Sequence, residues 1–362
     1  MKQSVKIICS CRMGPGTFEA KFVPLCKVDI VEEIIVVRKE KGPYIPKLKY
    51  VVLPKICANP FINFIIASYN VAKLARRYNA NFILAYHYVP HYYIAFVASL
   101  LSSTPYILGQ TGRDDELLAK HPIKGILLRH IVKKAYQLNV PGSVSFNFWK
   151  SQGMDRVYIL HSAIDTDKYL PDNADKVYDF LYVGRLEKYK GVQYLIQAFS
   201  NVVKEYPNAT FCIVGYGSYE NEIRSLIYDL NLSDNVSFCG FQADTYSYYR
   251  KSKIFVMASE TEGLPCALME AMSCELLCIS SLVGNIGDIL KDGITGFTFS
   301  FGDVSKLKEL MIMALENYDG FIEIRENARK LIVNEYSYEI TTDKWNKIIS
   351  GILQGNEQKK NI

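Results

Sequence analysis

The sequence predicts an α/β protein of two successive parallel-sheet domains, and three observations carry that expectation. Its 362 residues exceed what one ordinary core fills and fall short of three. Short apolar, β-branched runs alternate with helical patterns along the whole chain, the signature of parallel strands buried on both faces. The alternation is interrupted by the polar, proline-containing stretch from Leu170 to Lys176 and then begins again. That stretch is the expected linker. It sets a first domain at 1–170, a second domain at 171–335, and a terminal helical segment at 336–362 expected to pack back toward the first.

Taken in order, VKIICS, EEIIVVRK, YVVLP, NFILAYHYV and PYILGQT have strand length in the first half. Between the third and fourth, NFIIASYNVAKLARRYN repeats apolar residues at three and four, the period of a helix face. Pro105 and Pro122 mark loops. The second series runs FLYVG, TFCIVG, VSFCG, IFVMAS, LCISS and the short GFTFS, and YSYEITTDKWNKIISGIL ends it as a capped amphipathic helix. The opening MKQSVKIICSC holds one apolar burst of strand length and no small-residue cleavage site, so it reads as a first strand and not a signal peptide. No run approaches the roughly 18 apolar residues of a membrane helix. A protein that stays in the cytoplasm is the expectation.

Composition narrows the class further. With 49% hydrophobic and 22% charged residues the chain is of globular type. Nine cysteines without repeated CxxC pairs argue against a disulfide framework and a zinc site, and read as reduced, mostly buried thiols. Charge divides unevenly: Met1 to Leu170 carries 23 Lys and Arg against 11 Asp and Glu, and the remainder 19 against 26. Drift between two solvated surfaces would account for this. So would a first half that faces something anionic, a membrane surface or a lipid diphosphate, since each clustered cation gains about 1 kcal/mol near anionic lipid. The cations are scattered and no nucleic-acid motif accompanies them, so no nucleic-acid partner is expected.

Chemistry concentrates in the second half. In SETEGLPCALMEAMSC, after the strand IFVMAS, Gly263 permits a tight turn and Pro265 suits the first helical position. A helix amino end aimed at the carboxyl edge of a parallel sheet receives phosphate or sugar oxygens. Glu262 before the helix and Glu270 within it can reach different parts of one extended ligand, and carboxylates suit hydroxyl pairs. A cap and a solvated face residue are the plainer roles for the two. YVGRLEKYKGVQYLIQAF places Arg185 and Lys190 beside a glycine turn, cations able to hold a diphosphate in place of a metal, or a merely solvated basic loop. Gly215 and Gly217 in IVGYGSYENEI begin a dinucleotide-type fingerprint but Glu220 replaces its third glycine, so a turn framing the site is the better reading. Gly240 and Phe241 end VSFCGFQ at the same edge, placed equally well for a nucleobase contact or for packing.

In this order and spacing these segments resemble glycosyltransferase family 4 (group 1 glycosyl transferases). The resemblance is strong from about Tyr178 to Phe299, through VGRLEKYKG, EGLPCALME and VGNIGDILKDGITGF, and loose before it, where CRMGPGTF and LGQTGRDD correspond. It implies the GT-B fold: α/β, two Rossmann-like domains facing each other across a cleft. It implies a retaining transferase that takes a sugar from a nucleotide-diphosphate-sugar donor to a lipid-linked or polysaccharide acceptor, without metal or other cofactor, in cell-surface glycan synthesis and with peripheral contact to anionic membrane. Arg185 and Lys190 would hold the diphosphate, Glu262 the transferred sugar, Glu270 the ribose diol, and the backbone after Gly263, through Leu264 and Pro265, the phosphate and sugar. Gly16 would let the first loop close over the donor, with Gly215, Gly240 and Phe241 around it. The sequence departs from the family at Thr111-Gly112, where a histidine before glycine is usual, in HSAID, and at Asp288. His87 and His91 are near, but a structural role suits each as well. Asp114 and Asp115 invite a metal reading that belongs to the other large glycosyltransferase fold. A nucleotide-sugar epimerase of similar frame and an inactive transferase partner subunit are the alternatives.

Overall fold

The computed structural model describes residues 4–53, 59–172 and 174–360. It divides into two units, 1–163 with 338–362, and 164–337. The break falls at Ala163 and not at the expected Leu170. Ile164 belongs to the second unit because its amide donates to the Tyr336 carbonyl (2.9 Å) and its side chain enters that unit's core. Pro54, at the end of the expected third strand, lies outside the described residues.

In the first unit, β1 (Val5–Ser10) leads into α1 (Pro15–Lys27), then β2 (Val31–Arg38) and β3 (Leu48–Val52). Next come α2 (Pro60–Arg77), β4 (Phe82–Tyr86), α3 (Tyr93–Ser102), β5 (Tyr106–Gly109), α4 (Asp114–Lys120) and α5 (Lys124–Lys134). β6 (Gln137–Val140), α6 (Ser143–Ser151) and β7 (Val157–Ile159) follow. The strands form one sheet in the order β3-β2-β1-β4-β5-β6-β7, every pair parallel. Alternation along β4 explains its uniformly apolar sequence: Ile83 and Ala85 join one core, Phe82, Leu84 and Tyr86 the other. α2 is set by its ends. The Asn59 side chain accepts from the Phe61 amide (2.9 Å), Pro60 occupies the first turn, and Arg76 and Arg77 sit in the last.

The second unit repeats the plan. β8 (Tyr178–Val183), α7 (Val192–Glu205), β9 (Phe211–Val214), α8 (Glu220–Asp229), β10 (Val236–Gly240), α9 (Tyr246–Arg250) and β11 (Ser252–Met257) come first. α10 (Cys266–Ser273), β12 (Leu277–Ser281), β13 (Phe297–Phe299), α11 (Val304–Glu316) and α12 (Ile322–Tyr336) complete it. The sheet is again all parallel, ordered β10-β9-β8-β11-β12-β13. α13 (Tyr338–Lys360) then returns to the first unit and packs on α1. Its Trp345, Ile349 and Ile352 are buried in the core beneath β1, each burial stabilising by roughly 2 kcal/mol.

In each sheet the winding reverses next to its first strand, between β1 and β4 and between β8 and β11. Ligands of open parallel sheets bind outside the carboxyl ends of strands at such a point. Among the described residues no helix is long and apolar enough to cross a membrane. The eight described cysteines are free thiols, six of them buried.

Candidate active site

At the switch point of the second sheet, the loop after β8 and the loop after β11 meet. Lys190 Nζ lies 2.5 Å from Glu262 Oε1, with the side chains only 15% and 10% exposed. The buried Ser259 hydroxyl donates to the same oxygen (2.7 Å). Lys190 is brought there by Gly191, whose φ of +67° turns the chain into α7. A Cβ on Gly191 would stand 1.9 Å from the Ala258 carbonyl, so the two loops are packed backbone to backbone. The Glu260 amide donating to the Tyr189 carbonyl (2.8 Å) fixes their register.

Arg185 sits exposed one turn earlier. Its Nη2 donates to the Tyr189 hydroxyl at 2.5 Å. The Tyr189 ring lies 5.8 Å from the Arg185 guanidinium and 5.4 Å from Lys190 Nζ, within cation–π reach of both. Among the described residues Lys190 has a carboxylate partner and Arg185 has none. Arg185 thus keeps an uncompensated positive charge at this edge.

Pro265 caps α10 with extended ψ of 121°, one place earlier than expected, and the helix begins at Cys266. Asn285, fully buried, donates to the Gly263 carbonyl from its amide (3.2 Å) and its side chain (3.1 Å), holding the EGLP turn. Leu264 is buried in the core of the second unit. Glu270 lies four residues into α10, and its Oε2 accepts from the Tyr249 hydroxyl at 2.8 Å. Burial, and next the charge of Glu270, push the Tyr249 phenol well above its usual range, so it stays a donor.

Gly215 is required by packing: with φ of +154°, its Cβ would fall 1.8 Å from the Gly184 carbonyl. Its amide donates to the Gly240 carbonyl (2.8 Å), and the Leu186 amide to Tyr216 (2.9 Å). The carboxyl ends of β8, β9 and β10 are thus bonded to one another. Gly240 adopts φ of +61° with open space around its Cα, and exposed Phe241 meets Tyr216 edge to face at 5.3 Å. Arg185, Lys190 and Glu262 share one locus, Gly263 to Glu270 adjoins it along α10, and Gly215, Gly240 and Phe241 line the neighbouring edge. Sequence reasoning did not single out Ser259, Tyr189, Tyr249 or Asn285. Only the three-residue spacing of Ser259 and Glu262 hinted at one of them.

Gly16 belongs to the first unit. The expected glycine loop is the start of α1, with Gly14 as its cap and Gly16 in its first turn. At the carboxyl edge of this sheet His87, Thr111, Gly112, Asp114 and Asp115 line a small cavity. His91 Nδ1 is 2.8 Å from the Ser10 hydroxyl, and burial holds its pKa down at about 3, aided by His87, Arg12, Arg38 and Lys39. Asp115 turns inward toward the Tyr92 hydroxyl (3.4 Å), and burial pushes its carboxyl well above the usual range. Glu116 accepts from Gln110 Nε2 (2.9 Å) and Arg113 Nε (2.8 Å). Asp114 and Asp115 both line the cavity, and Asp115 is the buried one of the two. Among the described residues no group of three or more His, Cys, Asp or Glu is arranged to hold a metal ion.

Two successive all-parallel Rossmann-like sheets give the chain the GT-B fold. Residues 165–331 match the family described as Glycosyl transferases group 1. The chain is a glycosyltransferase, and its second unit is similar to that group. It is 24% identical over 310 residues to the N-acetyl-alpha-D-glucosaminyl L-malate synthase of Bacillus anthracis, covering 80% of each chain. It is 26% identical over 205 residues, 52% of each chain, to the UDP-Gal:alpha-D-GlcNAc-diphosphoundecaprenol alpha-1,3-galactosyltransferase of Escherichia coli. Its fold is similar to that of Anabaena HepE in complex with UDP-glucose, with a TM-score of 0.77 at 16% identity over 95% of this chain and 99% of that one.

Proposed function

We propose that the chain transfers a sugar, with retention and without a metal, from a nucleoside-diphosphate sugar to a lipid-linked or polysaccharide acceptor in cell-surface glycan synthesis. It does so in the cytoplasm, in peripheral contact with the inner, anionic face of the membrane. The observation that carries the reading is the Lys190–Glu262 pair, 2.5 Å apart beside Arg185 at the carboxyl edge. An ammonium has three donors; one serves Glu262, and two are left for phosphate oxygens. Arg185 adds the uncompensated charge that a departing diphosphate needs, preorganised and without solvent rearrangement. Glu262 receives Lys190 and Ser259 on Oε1, so Oε2 serves a sugar hydroxyl. Glu270, steadied by Tyr249, accepts from a ribose diol further along α10. The amides at the start of α10 and the helix dipole add to the phosphate field. The leaving phosphate itself takes the acceptor's proton.

The bacterial relatives named above act in glycan or sugar transfer, and HepE was solved with UDP-glucose; both support a nucleotide-sugar donor here. The test is a panel of UDP-, GDP- and ADP-sugars incubated with purified protein, scored for nucleotide release with and without membrane extract. Release from one donor that rises with extract and vanishes in Glu262→Ala is expected. Turnover should be undiminished in a chelator, and the product should keep the donor's anomeric configuration. Conversion of the donor without nucleotide release, or no binding to any nucleotide sugar, overturns the reading. Strict dependence on Mg²⁺ or Mn²⁺ overturns its metal-free part.

A further inference from the structure

The helical layer of the first unit leaves apolar side chains uncovered in a pattern that surface scatter does not explain. On α5, Gly125, Leu128, Ile131 and Val132 face the sheet, while Ile123, just before the helix, and Ile126 stand 77% and 61% exposed, with Leu127 beside them. On α2 the line Ala67, Val71 and Ala75 is buried. The opposite line Phe61, Ile65 and Tyr69, also spaced by four, is exposed. A helix apolar on both sides belongs against a second apolar phase. α3 lies between the two, packed on α2 and touching α5 through Phe96 and His130, whose ring centroids are 6.0 Å apart. In a parallel sheet the helices that follow β3 and β5, here α2 and α4, start at the carboxyl edge. Exposed Phe61 lies in the first turn of α2 and exposed Leu117 in α4, toward the edge that holds the His87–Asp115 cavity, and Ile123, Ile126 and Leu127 follow directly after α4.

Charge identifies the occupant. From 41 to 154 the sequence has fourteen Lys and Arg, and its acids are Asp114, Asp115 and Glu116 alone. The latter two are buried. Lys120 and Lys124 are interleaved with the exposed apolar residues of α4 and α5, and exposed Lys133 and Lys134 end α5. Protein interfaces are depleted in lysine at their cores, whereas an interfacial membrane surface combines apolar side chains with lysine and arginine. We propose that the α2–α5 face docks on an anionic bilayer: Ile123, Ile126, Leu127 and Phe61 enter the headgroup and acyl boundary, and the lysines meet lipid phosphates. This names the surface for the membrane contact read above and rests on that reading. Its consequence is that a lipid-borne acceptor arrives at the carboxyl edge of the first sheet.

The test is co-sedimentation of the full chain with vesicles of phosphatidylglycerol and phosphatidylcholine, against phosphatidylcholine alone. Binding to the anionic vesicles that falls with salt is expected. Ile126→Glu with Leu127→Glu, and separately Lys124→Glu with Lys134→Glu, should each weaken it about tenfold or more. Melting temperature and donor binding should be unchanged in both. Tyr228→Glu, at an exposed aromatic of the second unit, should bind as the wild type does. Wild-type binding in the α5 variants overturns the proposal. So does a wild-type dimer, in the absence of lipid, that the same variants dissociate, since a second copy would then be what covers the face. Lack of vesicle binding with nucleotide release intact overturns the docking surface and leaves sugar transfer standing.

Discussion

Lys190 and Glu262 lie 72 positions apart in sequence and 2.5 Å apart in space, both largely shielded from water. Removing either leaves the other's charge half-buried and uncompensated, so Lys190→Met or Glu262→Gln alone should destabilise the protein by about 1–3 kcal/mol. The double variant should cost less than the two single losses together, with a coupling of about 1 kcal/mol or more in urea unfolding. Additive losses would show that the two behave as independent surface charges. Arg185 is different: exposed, and without a carboxylate partner among the described residues. Arg185→Ala should leave stability unchanged and lower turnover about a hundredfold, on the order of 3 kcal/mol of transition-state stabilisation. Wild-type turnover in that variant would remove Arg185 from the mechanism.

At the scale of the elements, the glycines of the candidate site separate by what surrounds them. Gly191 and Gly215 combine positive φ with a carbonyl inside 2 Å of an added Cβ, so Gly191→Ala and Gly215→Ala should each cost about 3 kcal/mol or more. Gly240 has positive φ but open space, so Gly240→Ala should cost only about 1–2 kcal/mol, the left-handed penalty alone. Gly16 has neither constraint and lies in the first turn of α1, where alanine should be neutral or stabilise by up to about 1 kcal/mol. Thermal unfolding ranks all four. If Gly16→Ala raises stability and lowers turnover together, the residue serves a ligand; if turnover is unmoved, its role ends with the helix.

For the molecule as a whole, His91 links folding to pH. Burial holds its pKa down at about 3 in the folded chain, against about 6.5 when unfolded. Between those values the unfolded chain binds a proton that the folded one refuses, so this residue's contribution is complete at neutral pH and is lost as pH falls. The urea midpoint should therefore drop between about pH 7 and about pH 5. The drop should shrink in His91→Gln, which retains a polar group beside Ser10. An equal drop in both would assign the acid sensitivity to other groups.

Much of the fold was legible because parallel strands buried on both faces must be apolar throughout, as VKIICS, IFVMAS and LCISS are. β6 escaped notice because two of its four residues are polar: Gln137 and Asn139, joined inside the sheet by an Nε2 to Oδ1 bond of 2.6 Å. β7 escaped because it is three residues long, with two of them exposed. The site followed the same division. Cations beside a glycine turn, and two carboxylates around a helix start, are local patterns, and the sequence by itself determined them along with the class of reaction. That Lys190 meets Glu262, that Tyr249 holds Glu270 and that Asn285 ties down Gly263 depends on which loops become neighbours. Sheet order sets that, and only the tertiary structure decided it, because the free energy that orders strands comes from burying whole faces, which no single segment encodes.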